Sequence, residues 1–178
     1  MWIIVNATRY DIMTRFQEAA LCLVDDFQLA SLRYDLGEFL LEHLDEKRLD
    51  ENIFLVVNLL DTDTSKSQHN IPKSIMLAEL NLVAGRKAMS AAAFASAAVY
   101  LERDLDFLQS DHWNMHYKLS LELFSSAAEA CYCVRKADKT QKFCEAVFTQ
   151  TGQPLLKKMK AYYTSLVSID SLCSPVGI

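Results

Sequence analysis

Glycine and proline are so scarce in this chain, four and three among 178 residues, that a β-rich fold has almost no turn chemistry to draw on. Hairpin-built chains need such a residue at nearly every reversal. The scarcity therefore predicts long helices, and the apolar spacing agrees. From Tyr10 to Val24 the residues Ile12, Phe16, Ala19, Ala20 and Leu23 recur at three- and four-residue steps, the period of an amphipathic helix.

The same period continues downstream. Asp25 can cap a second helix running to about His43, with Leu29, Leu32, Leu36, Phe39, Leu40 and Leu44 as one apolar stripe. A third helix is expected over Glu46–Leu60. The segment 61–71, opening with DTDTSKSQHN, holds no large apolar residue before Ile71 and reads as a linker, with Pro72 placed for the first turn of a helix to Met89. Ser90 is expected to cap a helix carrying Phe94, Ala97, Leu101, Leu105 and Leu108. A further helix, 112–135, presents Leu119, Leu123, Ala127, Ala130 and Val134. After a polar break at Lys136–Thr140, another carries Phe143, Val147 and Phe148 to Gly152. Pro154 then opens a last helix through Leu155, Met159, Tyr162 and Leu166, and 171–178 reads as a frayed tail.

Helices joined by short breaks make antiparallel hairpins. Leu82, Gly85 and Ala88 find a counterpart in Ala127, Ala130 and Cys133, small residues that let neighbouring helices approach closely. The expected fold is all-α, about eight helices in antiparallel hairpins stacked as a TPR-like (tetratricopeptide-like) α-solenoid. Three parts are expected: N-terminal helices over 1–60, the linker, and the TPR-like hairpins over 72–170.

Composition narrows the function. A 51% hydrophobic chain of this length can bury roughly 70% of its unfolded surface without metal or disulfide staples. Net charge of −5 argues against a nucleic-acid binder. The longest uncharged run, residues 88–101, is shorter than the roughly 20 residues that span a bilayer, so no membrane partner is expected. The opening MWIIVNATRY has no basic n-region ahead of an apolar core, so the chain is expected in the cytoplasm, with its five cysteines as thiols. Cys131 and Cys133 would stand about 200° apart on a helix and cannot share a metal there.

Catalytic motifs are not found. Gly37, Gly85, Gly152 and Gly177 lie too far apart to build a phosphate-cradling loop. The sharpest constellation is Asp111, His112 and His116, since histidines four residues apart share a helix face. The glutamate of a zincin motif is missing, so an ordinary helix start is preferred and no metal or cofactor is expected. Two further features carry a binding reading beside a structural one. The basic residues Arg135, Lys136, Lys139, Lys142, Lys157, Lys158 and Lys160 suit an acidic partner or complement helix ends. The aromatics Tyr100, Trp113, Tyr117, Tyr162 and Tyr163 suit a partner-binding face or the core.

Three stretches carry a resemblance: LDENIFLVVNLLD, then IMLAELNLVAGRKAMSAAAFASAAVYLERDLDFL, then DHWNMHYKLSLELFSSAAEACYC. Within them Asn58, the block Ala78-Glu79-Leu80-Asn81, the block Ala84-Gly85-Arg86-Lys87-Ala88, Tyr100-Leu101 and Trp113 form a signature. The chain resembles, from about Phe16 to Cys133, the helical region that follows the AAA-type P-loop ATPase module in large signalling proteins. In those proteins a serine/threonine kinase-like domain and sensor, histidine-kinase or cyclase domains flank the ATPase. FQEAALCLV looks like the closing helix of that module's winged-helix part, although the family's His-Asp is replaced here by Met13-Thr14. The likeness implies a non-catalytic interaction and relay module whose partner is a neighbouring ATPase or kinase domain, with the signature residues in structural roles. The alternative from the residues alone is a free-standing TPR-like scaffold that holds a protein partner in its groove. A third reading, an enzyme with a metal or thiol site, rests on His112 with His116 or on a low-pKa cysteine.

Overall fold

A computed structural model describes residues 25–62, 70–103, 105, 108, 111–150 and 154–173. Among them every regular element is helical, nine α-helices and one 3-10 turn. The helix expected over Tyr10–Val24, residues 63–69 of the expected linker, Gly152 and residues 174–178 lie outside the described set. The chain divides into two compact units, Met1–Thr64 and Ser65–Ile178.

In the first unit, α1 (Asp26–His43) packs on α3 (Ile53–Leu60), with α2 (Glu46–Glu51) between them in the chain. Asp25 stands at the N-cap of α1, but its side chain makes no capping bond. Asp45 does cap, its carboxylate accepting the Arg48 N–H at 2.8 Å. The helix expected over Glu46–Leu60 is broken at Asn52, whose side-chain amide donates to the Arg48 carbonyl at 2.9 Å and so competes with the backbone ladder.

The expected stripe of α1 is corrected. Leu32, Leu36 and Phe39 are exposed, whereas Tyr34 is buried and Gly37 faces α3. The cause is a close approach: a Cβ at Gly37 would lie 3.0 Å from Leu60 Cγ, and Thr62 Oγ1 reaches the Ala30 carbonyl at 3.1 Å. Contact through that small residue turns the Ala30–Tyr34–Gly37 side inward.

The second unit opens with α4 (Ile71–Ser90), capped by Asn70, whose side-chain oxygen accepts from Lys73 N–H, and with Pro72 in the first turn. Ser90 is the last residue of α4 rather than a cap of the next helix; its hydroxyl donates to the Lys87 carbonyl. The chain reverses through Ala92, at φ 56°, with Ala93 N–H on Ala88 O and Ala92 N–H on Met89 O. That is a Schellman reversal with alanine at the left-handed position. It leads into α5 (Phe94–Arg103), which stops short of the expected Leu108. A Cβ at Gly85 would stand 2.4 Å from Leu101 Cγ, so only glycine permits the α4–α5 contact.

The helix expected over 112–135 is two, α6 (His112–Met115) and α7 (Tyr117–Cys133), parted at His116, with φ −132° and ψ 46°. Buried Ser120 fills the break, its hydroxyl within 3.2 Å of the His112 carbonyl and 3.0 Å of the His116 carbonyl. Arg135, at φ 59°, repeats the Schellman reversal before α8 (Ala137–Phe148). The break is thus Val134–Lys136, because α8 starts directly after its N-cap position Lys136 and residues 137–140 already form its first turn. A 3-10 turn, Leu155–Lys158, leads into α9 (Met159–Cys173), which carries helix into the expected tail.

Helix α7 is the centre of this unit, packed against α4, α5, α6, α8 and α9. Its residues Leu123 to Ala128 are all buried, as are Ser120, Ala130 and Cys131. A helix covered on all sides suits small side chains, and alanine and serine dominate here. Cys133, the expected partner of Ala88 in the small-residue rhythm, is exposed instead.

Candidate functional site

The break at His116 takes the two histidines off a common helix face. His112 Nδ1 lies 2.8 Å from Ser120 Oγ, and its ring stacks on Phe124 at 5.6 Å between centroids. Burial lowers its pKa and favours the neutral ring. Trp113 completes the cluster at 5.1 Å from Phe124, which meets Phe143 edge-on. Among the described residues no group of three or more His, Cys, Asp or Glu is placed to hold a metal ion.

The signature residues divide between packing and surface. Asn81, Gly85 and Ala88 are buried on α4 in the face turned to α5 and α7. Trp113 belongs to the aromatic cluster, and Tyr100 lies beneath the Arg103 guanidinium at 5.4 Å. Leu80 and Lys87 are half-buried, and Glu79 is exposed. Asn58 is exposed on α3.

Glu102 organises a site that local spacing did not reveal, because its partners lie 29 to 37 residues away. Its carboxylate accepts from Lys139, from Lys136 at 3.1 Å and from the Cys131 thiol at 3.1 Å. Burial by itself raises the Glu102 pKa, but the bonds from Lys139, Cys131 and Lys136 outweigh it and hold the carboxyl below its usual range. Burial and the neighbouring carboxylate push the Cys131 thiol up to about 12. Burial first, and then Glu145, push Cys144 up to about 11. Burial and Glu129 raise Cys133 as well, so all three thiols are held away from the reactive thiolate.

The basic residues of the sequence are likewise dispersed among separate partners. Lys136 and Lys139 serve Glu102, Lys160 meets Glu129 at 2.8 Å, and buried Lys158 donates to the Gln150 carbonyl.

The chain matches no family model, no curated protein and no solved structure. Among the described residues two faces are apolar and open. On α9 and its lead-in turn, Leu155, Leu156, Met159, Tyr163, Leu166 and Ile169 are exposed, Leu156 at 83% and Leu166 at 67%. Ala161 and Thr164 form the buried side of α9, with Tyr162 stacked on Phe148 at 4.3 Å. Of the apolar residues expected along this last helix, Leu155, Met159 and Leu166 are thus exposed and Tyr162 is half-buried. The second open face is that of Leu32, Leu36 and Phe39 on α1. Clustered apolar side chains of this kind mark interaction surfaces on folded proteins. Among the described residues no helix is long and apolar enough to cross a membrane.

Proposed function

We propose that this chain is a non-catalytic helical interaction and relay module, adjoining a P-loop ATPase in a cytoplasmic signalling protein, with its hairpins stacked in a TPR-like array. The observation that carries the reading is the open apolar face of α9 and its lead-in turn, Leu156, Met159, Tyr163 and Leu166 at helical spacing. A surface of that kind suits the apolar face of a neighbouring domain better than a polar peptide, whose groove needs exposed amides and cations. The raised thiol pKa values and the dispersed histidines support a role without chemistry. Two hairpins closed by the same reversal, at Ala92 and Arg135, support a repeated unit that moves as a stiff body. That repetition equally favours the second reading, a free-standing TPR-like scaffold.

The test uses the chain as bait for cellular proteins with and without ATP. Retention of a P-loop ATPase is expected, with release by Leu166→Glu at unchanged helical content. Equal retention of unrelated clients by both forms would support the free-standing scaffold. Hydrolysis of ATP by the purified chain would overturn the non-catalytic reading.

A further inference from the structure

A cavity of about 400 Å³ opens between the C-terminal half of α4, the first half of α7 and the lead-in to α9. That volume falls within the range that encloses small organic ligands. Four cations line it, Arg86 from α4, Lys118 from α7, and Lys157 and Lys160 from the 3-10 turn and α9. Against them stand Glu122, in the lining and 3.1 Å from Arg86, and Glu129, 2.8 Å from Lys160. Among the described residues the site gathers four positive charges against these two negative ones, a surplus of two, in a chain whose net charge is −5. A concave wall of low dielectric focuses such a local excess and draws anions to it.

The rest of the lining is of a different character. Tyr117 and Leu121 supply an aromatic ring and an aliphatic wall, and Lys157 Nζ stands 5.9 Å from the Tyr117 ring centroid. Ser126, 1% exposed, lies at the lining, and its Oγ accepts from Lys160 Nζ at 3.1 Å, which ties that ammonium to the cavity wall. The Arg86–Glu122 pair is partly exposed on both sides, and such a pair yields readily to a stronger anion. A phosphomonoester carries a charge of about −1.5 to −2 near neutral pH, and its oxygens accept from several donors at once. A monocarboxylate leaves half the surplus uncompensated.

We propose that this cavity binds a phosphomonoester carried on an aromatic or apolar body, the phosphate among Arg86, Lys118, Lys157 and Lys160 and the body against Tyr117 and Leu121. The phosphate can arrive on a free small molecule or on a phosphorylated tyrosine side chain, and the test separates them.

Phenyl phosphate, inorganic phosphate, benzoate and a short phosphotyrosine peptide are titrated into the full chain by calorimetry, with backbone amide shifts read by NMR. Phenyl phosphate is expected to bind about tenfold tighter than either benzoate or inorganic phosphate and to move the Tyr117 and Lys118 amides. Lys118→Glu and Lys157→Glu, both changes at exposed side chains, are each expected to weaken it about tenfold or more, while Lys142→Glu on α8 leaves it unchanged. A peptide that binds more tightly than phenyl phosphate assigns the phosphate to a protein-borne source, and one that binds equally or less tightly assigns it to a free small molecule. Phenyl phosphate binding no tighter than benzoate, or undiminished by Lys118→Glu, would overturn the proposal.

Discussion

Glu102 shows what a single side chain does when its partners come from elsewhere in the chain. Its carboxylate joins α5 to the start of α8 through Lys136 and Lys139, and to α7 through Cys131. The carboxyl is held below its ordinary value of 4.5. A depressed folded-state pKa means that the stabilisation is complete above the unfolded value and is lost as pH falls through the folded one. Wild type is therefore expected to exceed Glu102→Gln in stability at neutral pH by ~1 kcal/mol. That margin should close as pH drops below 4.5, as urea denaturation at neutral and acid pH will measure. A margin that stays constant with pH would show that the carboxylate's charge contributes nothing. Residue-scale chemistry of this kind was not legible in the sequence, where Glu102 has only Arg103, Asp104 and Asp106 as charged neighbours within one turn. Gly85 was legible as a small residue in a helix, but the reason, Leu101 Cγ only 2.4 Å from where a Cβ would stand, belongs to the fold.

At the scale of elements, local signals placed most helices well. The α4 start at Asn70 and Pro72 and the α1 end at His43 follow from side chains that act within one turn. The departures share a cause, a polar side chain or a reversal that competes with the helix ladder. Asn52 splits the third expected helix, and Ser120 fills the break at His116. Ala92 ends α4 in a left-handed conformation that costs an alanine about 1 kcal/mol relative to glycine. Ala92→Gly is accordingly expected to stabilise the second unit by ~1 kcal/mol, read as a higher denaturant midpoint at unchanged slope. A lower midpoint would mean that the left-handed alanine is not strained. The faces of α1 and α9 were misjudged for another reason. Both helices carry apolar residues on more than one side, and spacing alone does not choose between sides.

On the scale of the molecule, the unit Ser65–Ile178 carries its own densely packed centre in α7. Expressed alone, residues 65–178 are expected to keep a helical circular-dichroism spectrum and to unfold in one cooperative transition. A broad, gradual melt would show that this core needs residues 1–64. Its functional surfaces, the apolar side of α9 and the cationic cavity beside α7, assemble from segments far apart in sequence. Arg86 and Lys160 line the same cavity across more than seventy residues of chain. The residues by themselves determined that the chain is helical and where most helices run, because glycine and proline scarcity, caps and apolar period all act within a few residues. Tertiary structure alone decided which side of each helix is buried, what Glu102 holds and where positive charge gathers in an acidic chain. Those outcomes depend on which small residues let helices meet, and contact between distant segments is not written in local spacing.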